Sequence, residues 1–396
     1  MKFNYKIRTL FLIFIVFIIS GQNRNIEDII KEEEQKLQEI KEQDNQYFQE
    51  IEEEYRHYEE AVTKEYQAAE QKYREELEEM KRKILEKWDE LELKTNKQYV
   101  EYDENLDSRG KVDFEEGVVE VEAIAEEGAP DSEEEAREKV KDKVKSLLKK
   151  EATDAEPLLK DQITNEKGVK IDEKNVDQFI KSEVEENIFK DKAYEARDGK
   201  KRVKYVVKIP MVPDHIEVRA QRYRSEVLKQ AKEFNVDPAL VMAIIHTESS
   251  FNPQAKSYIP AYGLMQLVPR TGARDAYNYI YNRDRYISSN YLYDPKNNIK
   301  LGCGYIAKLR YVYFKNITND ENAFFCVISS YNGGVGTVAK TISGSTNLNS
   351  IIRIVNSHDP NWTYSTLEQK LPYKETRNYL KKVTARHRMY DNWLSS

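Results

Sequence analysis

Between residues 26 and 91 the apolar positions keep a helical spacing without interruption. No Pro occurs there, and no Gly stands between Gly21 and Gly110. Ile26, Ile30, Leu37, Ile40, Tyr47 and Ile51 follow a roughly heptad seam, after which the period changes to eleven. Ile51, Val62, Tyr73 and Ile84 form one column. Tyr55, Tyr66, Leu77 and Trp88 form a second, and Tyr58, Ala69, Met80 and Leu91 a third. An eleven-residue repeat has about 3.67 residues per turn, close to a straight helix or a slightly right-handed supercoil. Glu and Lys fill the faces between the columns, which suits solvent and i,i+4 pairing. The pattern predicts a long helix or coiled-coil rod over 22–98, about 100 Å long. Its role is that of a spacer or an oligomerisation stalk or, more plainly, of a solvated single helix.

Residues 99–212 change character. Residues 111–125 (KVDFEEGVVEVEAIA) alternate apolar and polar positions around Gly117, as a strand pair or bulged strand does. Ala129-Pro130-Asp131-Ser132 then opens a charged amphipathic helix reaching about Ala152, and residues 202–210 (RVKYVVKIP) read as another strand. A small α+β domain is expected, its acidic residues forming a solvated face rather than a metal site. From Pro213 the pattern becomes helical again. Residues 220–234 and 238–247 are amphipathic helices, with Asp237 placed as N-cap before Pro238 at the first helical position. The predicted fold class is mainly α, with a long N-terminal helix, a small α+β domain and a helical domain over 213–396.

Composition and charge refine this picture. Charged residues make up 34% of the 396 and hydrophobic ones 39%, so much of the chain is solvated rather than packed in one large core. Residues 211–396 carry 24 Lys and Arg against 15 Asp and Glu, whereas residues 1–210 carry 39 against 55. The overall charge of −7 thus hides an acidic front and a basic back. A basic domain favours a polyanionic partner: nucleic acid, anionic membrane or the carboxylate-bearing bacterial wall. The N-terminus narrows that choice. Lys2, Lys6 and Arg8 precede an apolar run over residues 10–19, closed by Ser20 and Gly21. This reads as a signal peptide over 1–21, or else as an uncleaved anchor, and export to the periplasm or cell envelope is expected. No Cys follows the apolar run, so a lipid anchor there has no support. The two cysteines, Cys303 and Cys326, lie in apolar helical stretches as buried thiols or as a disulfide. The five histidines (57, 215, 246, 358 and 387) show no metal-ligand spacing.

The chemistry centres on Glu248. An apolar run, Leu240-Val241-Met242-Ala243-Ile244-Ile245, delivers it at the C-terminal end of a helix that Ser249-Ser250-Phe251-Asn252-Pro253 stops. Loss of solvent there raises a carboxyl pKa, as a proton-donating glycosidase acid requires. Taken alone, the stretch reads as an ordinary helix-terminal Glu in a surface salt bridge. Further blocks follow in order. The first is Ala255, Ser257, Ala261, Gly263, Leu264, Met265, Gln266, Pro269 and Thr271. Asp294-Pro295 comes next with Asn298-Ile299, Gly302 and Tyr305, then Ser330-Tyr331-Asn332-Gly333-Gly334-Val335-Gly336, and last residues 372–379 (PYKETRNY).

These blocks, above all ESSFNPQAKSYIPAYGLMQLVP at 248–269, resemble the soluble lytic transglycosylase (SLT) domain with its lysozyme-like α-helical fold, over about residues 213–390. The resemblance extends to the membrane-bound murein transglycosylase C type, which carries a small domain before the catalytic one, joined by a segment similar to YVVKIPMVPDHIEVRA at 205–220. It implies that Glu248 is the catalytic acid and base. It further implies that Ser257, Gly263, Met265 and Gln266 belong to the glycan groove, that Tyr331 and Asn332 face the acid, and that Glu375 and Tyr379 close the cleft. In this resemblance the Tyr331 hydroxyl hydrogen-bonds the Glu248 carboxyl. The implied reaction cleaves peptidoglycan glycan strands between N-acetylmuramic acid and N-acetylglucosamine with 1,6-anhydro ring closure, and requires no metal or cofactor. The competing readings are a hydrolytic muramidase on the same fold, which needs a second carboxylate such as Asp294 or Glu375, and a non-catalytic wall-binding scaffold. Self-association or an envelope partner through 22–98 is a further expectation. Nucleic-acid binding is opposed by export and by the lack of a motif.

Overall fold

The computed structural model describes residues 26–152, 155–258 and 260–395; the segment read as a signal peptide lies outside them. The chain divides into two compact units, Met1–Met80 and Lys81–Ser396. In the first, the described residues belong to helix α1 (Ile26–Lys87). Charged and amide side chains pair along it: Lys36 lies 3.0 Å from Glu32, and Gln38 donates to Glu42 at 2.8 Å. Each such pair contributes a few tenths of a kcal/mol. Ile30, Ile40 and Tyr47 of the seam are exposed. The described helix is single, and no helix among the described residues is long and apolar enough to cross a membrane.

The last turns of α1, from Lys81, belong to the second unit. Ile84 and Trp88 are fully buried with Ile124, against Leu91, Tyr102, Leu106 and Tyr194. The Trp88 indole N–H donates to the Leu106 carbonyl at 2.8 Å, and the Arg109 guanidinium lies 4.4 Å over its ring. The helix ends at Lys87 rather than near residue 98, and the cause is tertiary. The Tyr194 hydroxyl donates to the Lys87 carbonyl at 2.8 Å, and the Lys87 ammonium donates to Asp107 at 2.7 Å. These contacts replace the next turn, and residues 88–97 run on as irregular chain to the first strand.

Five antiparallel strands follow: β1 (Gln98–Tyr102), β2 (Ser108–Asp113), β3 (Val118–Glu126), β4 (Phe189–Glu195) and β5 (Lys201–Pro210), in the order β1-β2-β3-β5-β4. The alternation around Gly117 is the β2–β3 hairpin. Gly117 sits at φ +70°, and a Cβ there would strike the His215 ring. Helix α2 (Ser132–Lys149) buries Ala136, Val140, Val144 and Leu147 and packs on β3. Its apolar stripe and the inward residues of β2, β3 and β5 form one hydrophobic core.

The remaining chain is helical: α3 (His215–Phe234), α4 (Pro238–Ser249), α5 (Gly272–Tyr281), α6 (Ser289–Tyr293), α7 (Pro295–Lys308), α8 (Asp320–Gly333), α9 (Val335–Ser343), α10 (Leu348–Asn356), α11 (Pro360–Lys370) and α12 (Lys374–Ser395). α4 runs through the middle of their common core, packed against α3 and α12. Cys303 and Cys326 are buried free thiols, not a disulfide.

Candidate active site

α4 is built to hold its last turn still. Its N-cap Asp237 accepts from the Ala239 N–H at 2.8 Å, and Pro238 supplies the preset first turn. Residues 239–245 are all buried. The helix stops because Ser250 and Phe251 both adopt the left-handed region, at φ 49° and 62°. Two adjacent non-glycine residues there cost about 1 kcal/mol or more each, so the surroundings must impose them. The Arg219 guanidinium donates to the Ser250 carbonyl at 3.0 Å, and the buried Phe251 ring packs against Tyr223, His246 and Tyr390.

Glu248 therefore stands in the last helical turn, where the negative end of the helix dipole opposes a carboxylate charge. Burial pushes its pKa up to about 8, and the Glu375 carboxylate adds to the rise; the Tyr379 phenol and the Lys97 ammonium act against it. The net result is a carboxyl that is mostly protonated at neutral pH. Tyr379 is itself buried, its hydroxyl makes no hydrogen bond within normal geometry, and it lies close enough to this carboxyl for each to shift the other's pKa. His246, one turn earlier, is pushed down to about 3 by burial and by Arg386 and Lys97. It is neutral, shares a 3.0 Å hydrogen bond with the Tyr390 hydroxyl, and is no ionic partner for the acid.

The separate sequence blocks close into a ring around α4. The Ser249 hydroxyl donates to the Leu264 carbonyl at 2.8 Å, joining the first block to the second. The Met265 N–H donates to Asn298 at 2.8 Å, and the Asn298 amide donates to the Tyr262 and Leu292 carbonyls at 2.8 Å. The Tyr331 hydroxyl reaches back to the Met265 carbonyl at 2.9 Å. Gly333 lies against Thr376 so closely that a Cβ would meet it at 2.9 Å. Tyr379, one helical turn beyond Thr376, returns to Glu248.

The Transglycosylase SLT domain family matches residues 225–353, and the family described as membrane-bound lytic murein transglycosylase C, N-terminal domain, matches residues 66–222. The membrane-bound lytic murein transglycosylase C of Klebsiella pneumoniae is 34% identical over 303 residues, 74% of this chain and 82% of that protein. The counterpart from Cronobacter sakazakii is 33% identical over 308 residues, again 74% and 82%. The chain belongs to that family. It is a lytic transglycosylase. Among solved structures, the 70-kDa soluble lytic transglycosylase from Escherichia coli is 26% identical, with a TM-score of 0.34 and a match covering 46% of this chain and 26% of that one.

In this transglycosylase the residues expected from sequence take different parts. Gly263 is at φ +74°, where a Cβ would strike the Leu292 carbonyl and Asn298; only glycine fits this turn. Gln266 also has positive φ, 47°. It donates to the Gly263 carbonyl at 2.9 Å, while its buried Oε1 has no partner. An acceptor left open at such a position suits a ligand donor. The Ser257 hydroxyl accepts from the Ala261 N–H at 3.2 Å and so braces the loop. Two expectations need correction. The Met265 side chain is wholly buried beside Gly302 and lines no groove; its backbone carries the contacts to Asn298 and Tyr331. The Tyr331 hydroxyl donates to the Met265 carbonyl, although its ring lies near enough to Glu248 for the acid to raise its pKa, and the phenol that bears on the acid's own pKa is that of Tyr379. Asn332 follows Tyr331 at the end of α8, half-buried, and Glu375 is exposed in the first turn of α12.

Sequence reasoning missed the groups behind the acid. The Lys97 ammonium is bonded to Glu115, Glu115 accepts from Arg386 at 3.2 Å, and Arg386 donates to the Thr247 hydroxyl at 3.1 Å. Asn96 donates to the Glu248 carbonyl at 2.7 Å. Lys97 and Glu115 are 18 residues apart and the other partners 139 to 271, and no local spacing points to them.

Proposed function

We propose that Glu248 is the single catalytic carboxylate, and that the enzyme cleaves the β-1,4 bond between N-acetylmuramic acid and N-acetylglucosamine in peptidoglycan. Glu248 gives its proton to the glycosidic oxygen as the bond to the muramyl C1 breaks, and N-acetylglucosamine leaves with a free hydroxyl. The resulting carboxylate then takes the proton of the muramyl C6 hydroxyl, whose oxygen bonds to C1 and closes the 1,6-anhydro ring. Glu248 ends as it began, and no water is consumed. Intramolecular attack supplies an effective concentration that solvent water lacks.

The observation that carries this reading is the environment of Glu248: a half-buried carboxyl at the end of an apolar helix, its pKa raised by loss of solvent, with the Tyr379 phenol beside it. A hydrolytic muramidase needs a second carboxylate to activate water or act as nucleophile. Asp294 is committed as the N-cap of α7, accepting from the Asn297 N–H at 2.8 Å. Glu375 acts on Glu248 by raising its pKa, which favours the acid role. Digestion of purified peptidoglycan is expected to yield muropeptides one water lighter than hydrolysed ones; products of hydrolysed mass would favour the muramidase. Because the acid must be protonated, kcat/KM is expected to hold at lower pH and to fall as pH rises through about 8. A pH profile flat to pH 10 would count against Glu248 as the proton donor.

Within this proposal Ser257, Gly263, Gln266, Tyr331, Asn332, Glu375 and Tyr379 shape the glycan site, and the enzyme works after export, in the periplasm or cell envelope. The exposed seam residues Ile30, Ile40 and Tyr47 favour self-association through residues 22–98. A monomeric mass of the full chain at all concentrations in sedimentation would exclude it.

A further inference from the structure

The last carbonyls of a helix have no acceptor role left within the helix and must find donors elsewhere. At the end of α4 these donors come from several directions. The His246 carbonyl takes the Ser250 N–H at 3.1 Å, the Ser249 carbonyl the Asn252 N–H at 3.0 Å, and the Ser250 carbonyl Arg219 at 3.0 Å. The carbonyl of Glu248 itself takes the side-chain amide of Asn96, 152 residues earlier, at 2.7 Å.

Asn96 is held firmly enough to act as a stop. The Thr95 hydroxyl accepts from the N–H groups of Lys97 and Gln98 at 3.2 and 3.0 Å, the Thr95 N–H donates to the Gln98 carbonyl at 3.0 Å, and the Phe114 N–H donates to the Lys97 carbonyl at 3.0 Å. The turn is thus fastened to β1 and to the β2–β3 hairpin. On its other side, Lys97, Glu115 and Arg386 form a chain that ends on the hydroxyl of Thr247. The residue before the acid is held by Arg386 of α12, itself bonded to Glu115 of the β2–β3 turn, and the acid's own peptide carbonyl by Asn96. Beyond them lie the two left-handed residues Ser250 and Phe251, a place where a rotated peptide would swing the Glu248 carboxyl off Tyr379.

We infer that Asn96 is a positioning residue for catalysis: its amide, presented by the turn before β1, fixes the Glu248 peptide and so the direction in which the acid points. Residues before the SLT match therefore complete the active centre. The inference rests on the assignment of Glu248 as the acid.

The test compares full-length Asn96→Ala, Asn96→Asp and Glu248→Gln with wild type, measuring kcat and KM for muropeptide release and the thermal midpoint. Asp keeps the shape of Asn but cannot donate. Both Asn96 variants are expected to lose kcat by about tenfold, within the roughly hundredfold that a misplacement of about 1 Å can cost, with KM within about twofold and folding retained. Wild-type kcat in both, or a loss confined to KM or to the thermal midpoint, overturns the inference. An inactive Glu248→Gln beside fully active Asn96 variants would sink the positioning role alone. A fully active Glu248→Gln would sink the acid assignment first.

Discussion

Glu248→Gln is expected to lose muropeptide release by at least about 10³-fold while making the protein more stable at neutral pH. The loss follows from the proposed role of one group as both acid and base, since general acid–base catalysis contributes about 10²–10⁴-fold. The gain follows from linkage. The carboxyl titrates at about 8 in the folded protein, against an ordinary value of 4.5. Below the ordinary value both states hold the proton and no penalty exists. As pH rises, the unfolded chain ionises first, so the folded state loses relative stability until the folded group ionises too. At pH 7 that loss is on the order of 3 kcal/mol; Gln does not ionise and escapes it. Thermal unfolding of both proteins at pH 4 and pH 7 checks the sign: the variant's advantage must grow with pH. A gap independent of pH would mean that the carboxyl is not held protonated.

Arg219→Met is expected to cost about 4 kcal/mol, near the upper end for a single substitution. Arg219 is buried. Its guanidinium donates to the Ser250 carbonyl, the Phe114 carbonyl and Gln162, and shares a 3.1 Å contact with His215. Burial lowers its pKa, and the acceptors bonded to it are neutral, yet it stays charged at neutral pH. Met fills similar space but leaves those acceptors without a donor, at about 1–3 kcal/mol for each buried group. Lys, with one compact ammonium, cannot reach them together. Denaturant unfolding should show a lower midpoint with an unchanged slope. Wild-type stability in Arg219→Met would show that the sheet and the helical core do not depend on this junction.

What could be read from the sequence was mostly local. Asp237 and Pro238 mark the start of α4 because capping is a short-range interaction, and the β2–β3 hairpin shows itself through alternation around Gly117. β4 could not be foreseen: all seven of its residues but Tyr194 are exposed, so FKDKAYE carries no buried face. The end of α1 at Lys87 depends on Tyr194 and Asp107, and a helical pattern continuing to Leu91 gives no hint of either. Glu248 was legible through the order of the blocks, which says that they converge but not how. Two tyrosines, Tyr331 and Tyr379, lie near the acid, and only the packing of α8 and α12 turns the Tyr331 hydroxyl to the Met265 carbonyl instead. Met265 illustrates the same limit, since an apolar residue in a functional block can serve the core instead. Asn96 and Arg219 act across the sheet–helix junction, and nothing in their neighbourhoods distinguishes them from surface polar residues.

Digestion of purified peptidoglycan in H₂¹⁸O tests most directly whether the lone carboxylate closes a ring instead of activating water. Newly formed muramyl ends should carry no ¹⁸O, because the oxygen that bonds to C1 comes from the sugar's own C6 hydroxyl. ¹⁸O at the muramyl C1 of the new ends would contradict the account and make the enzyme a hydrolase.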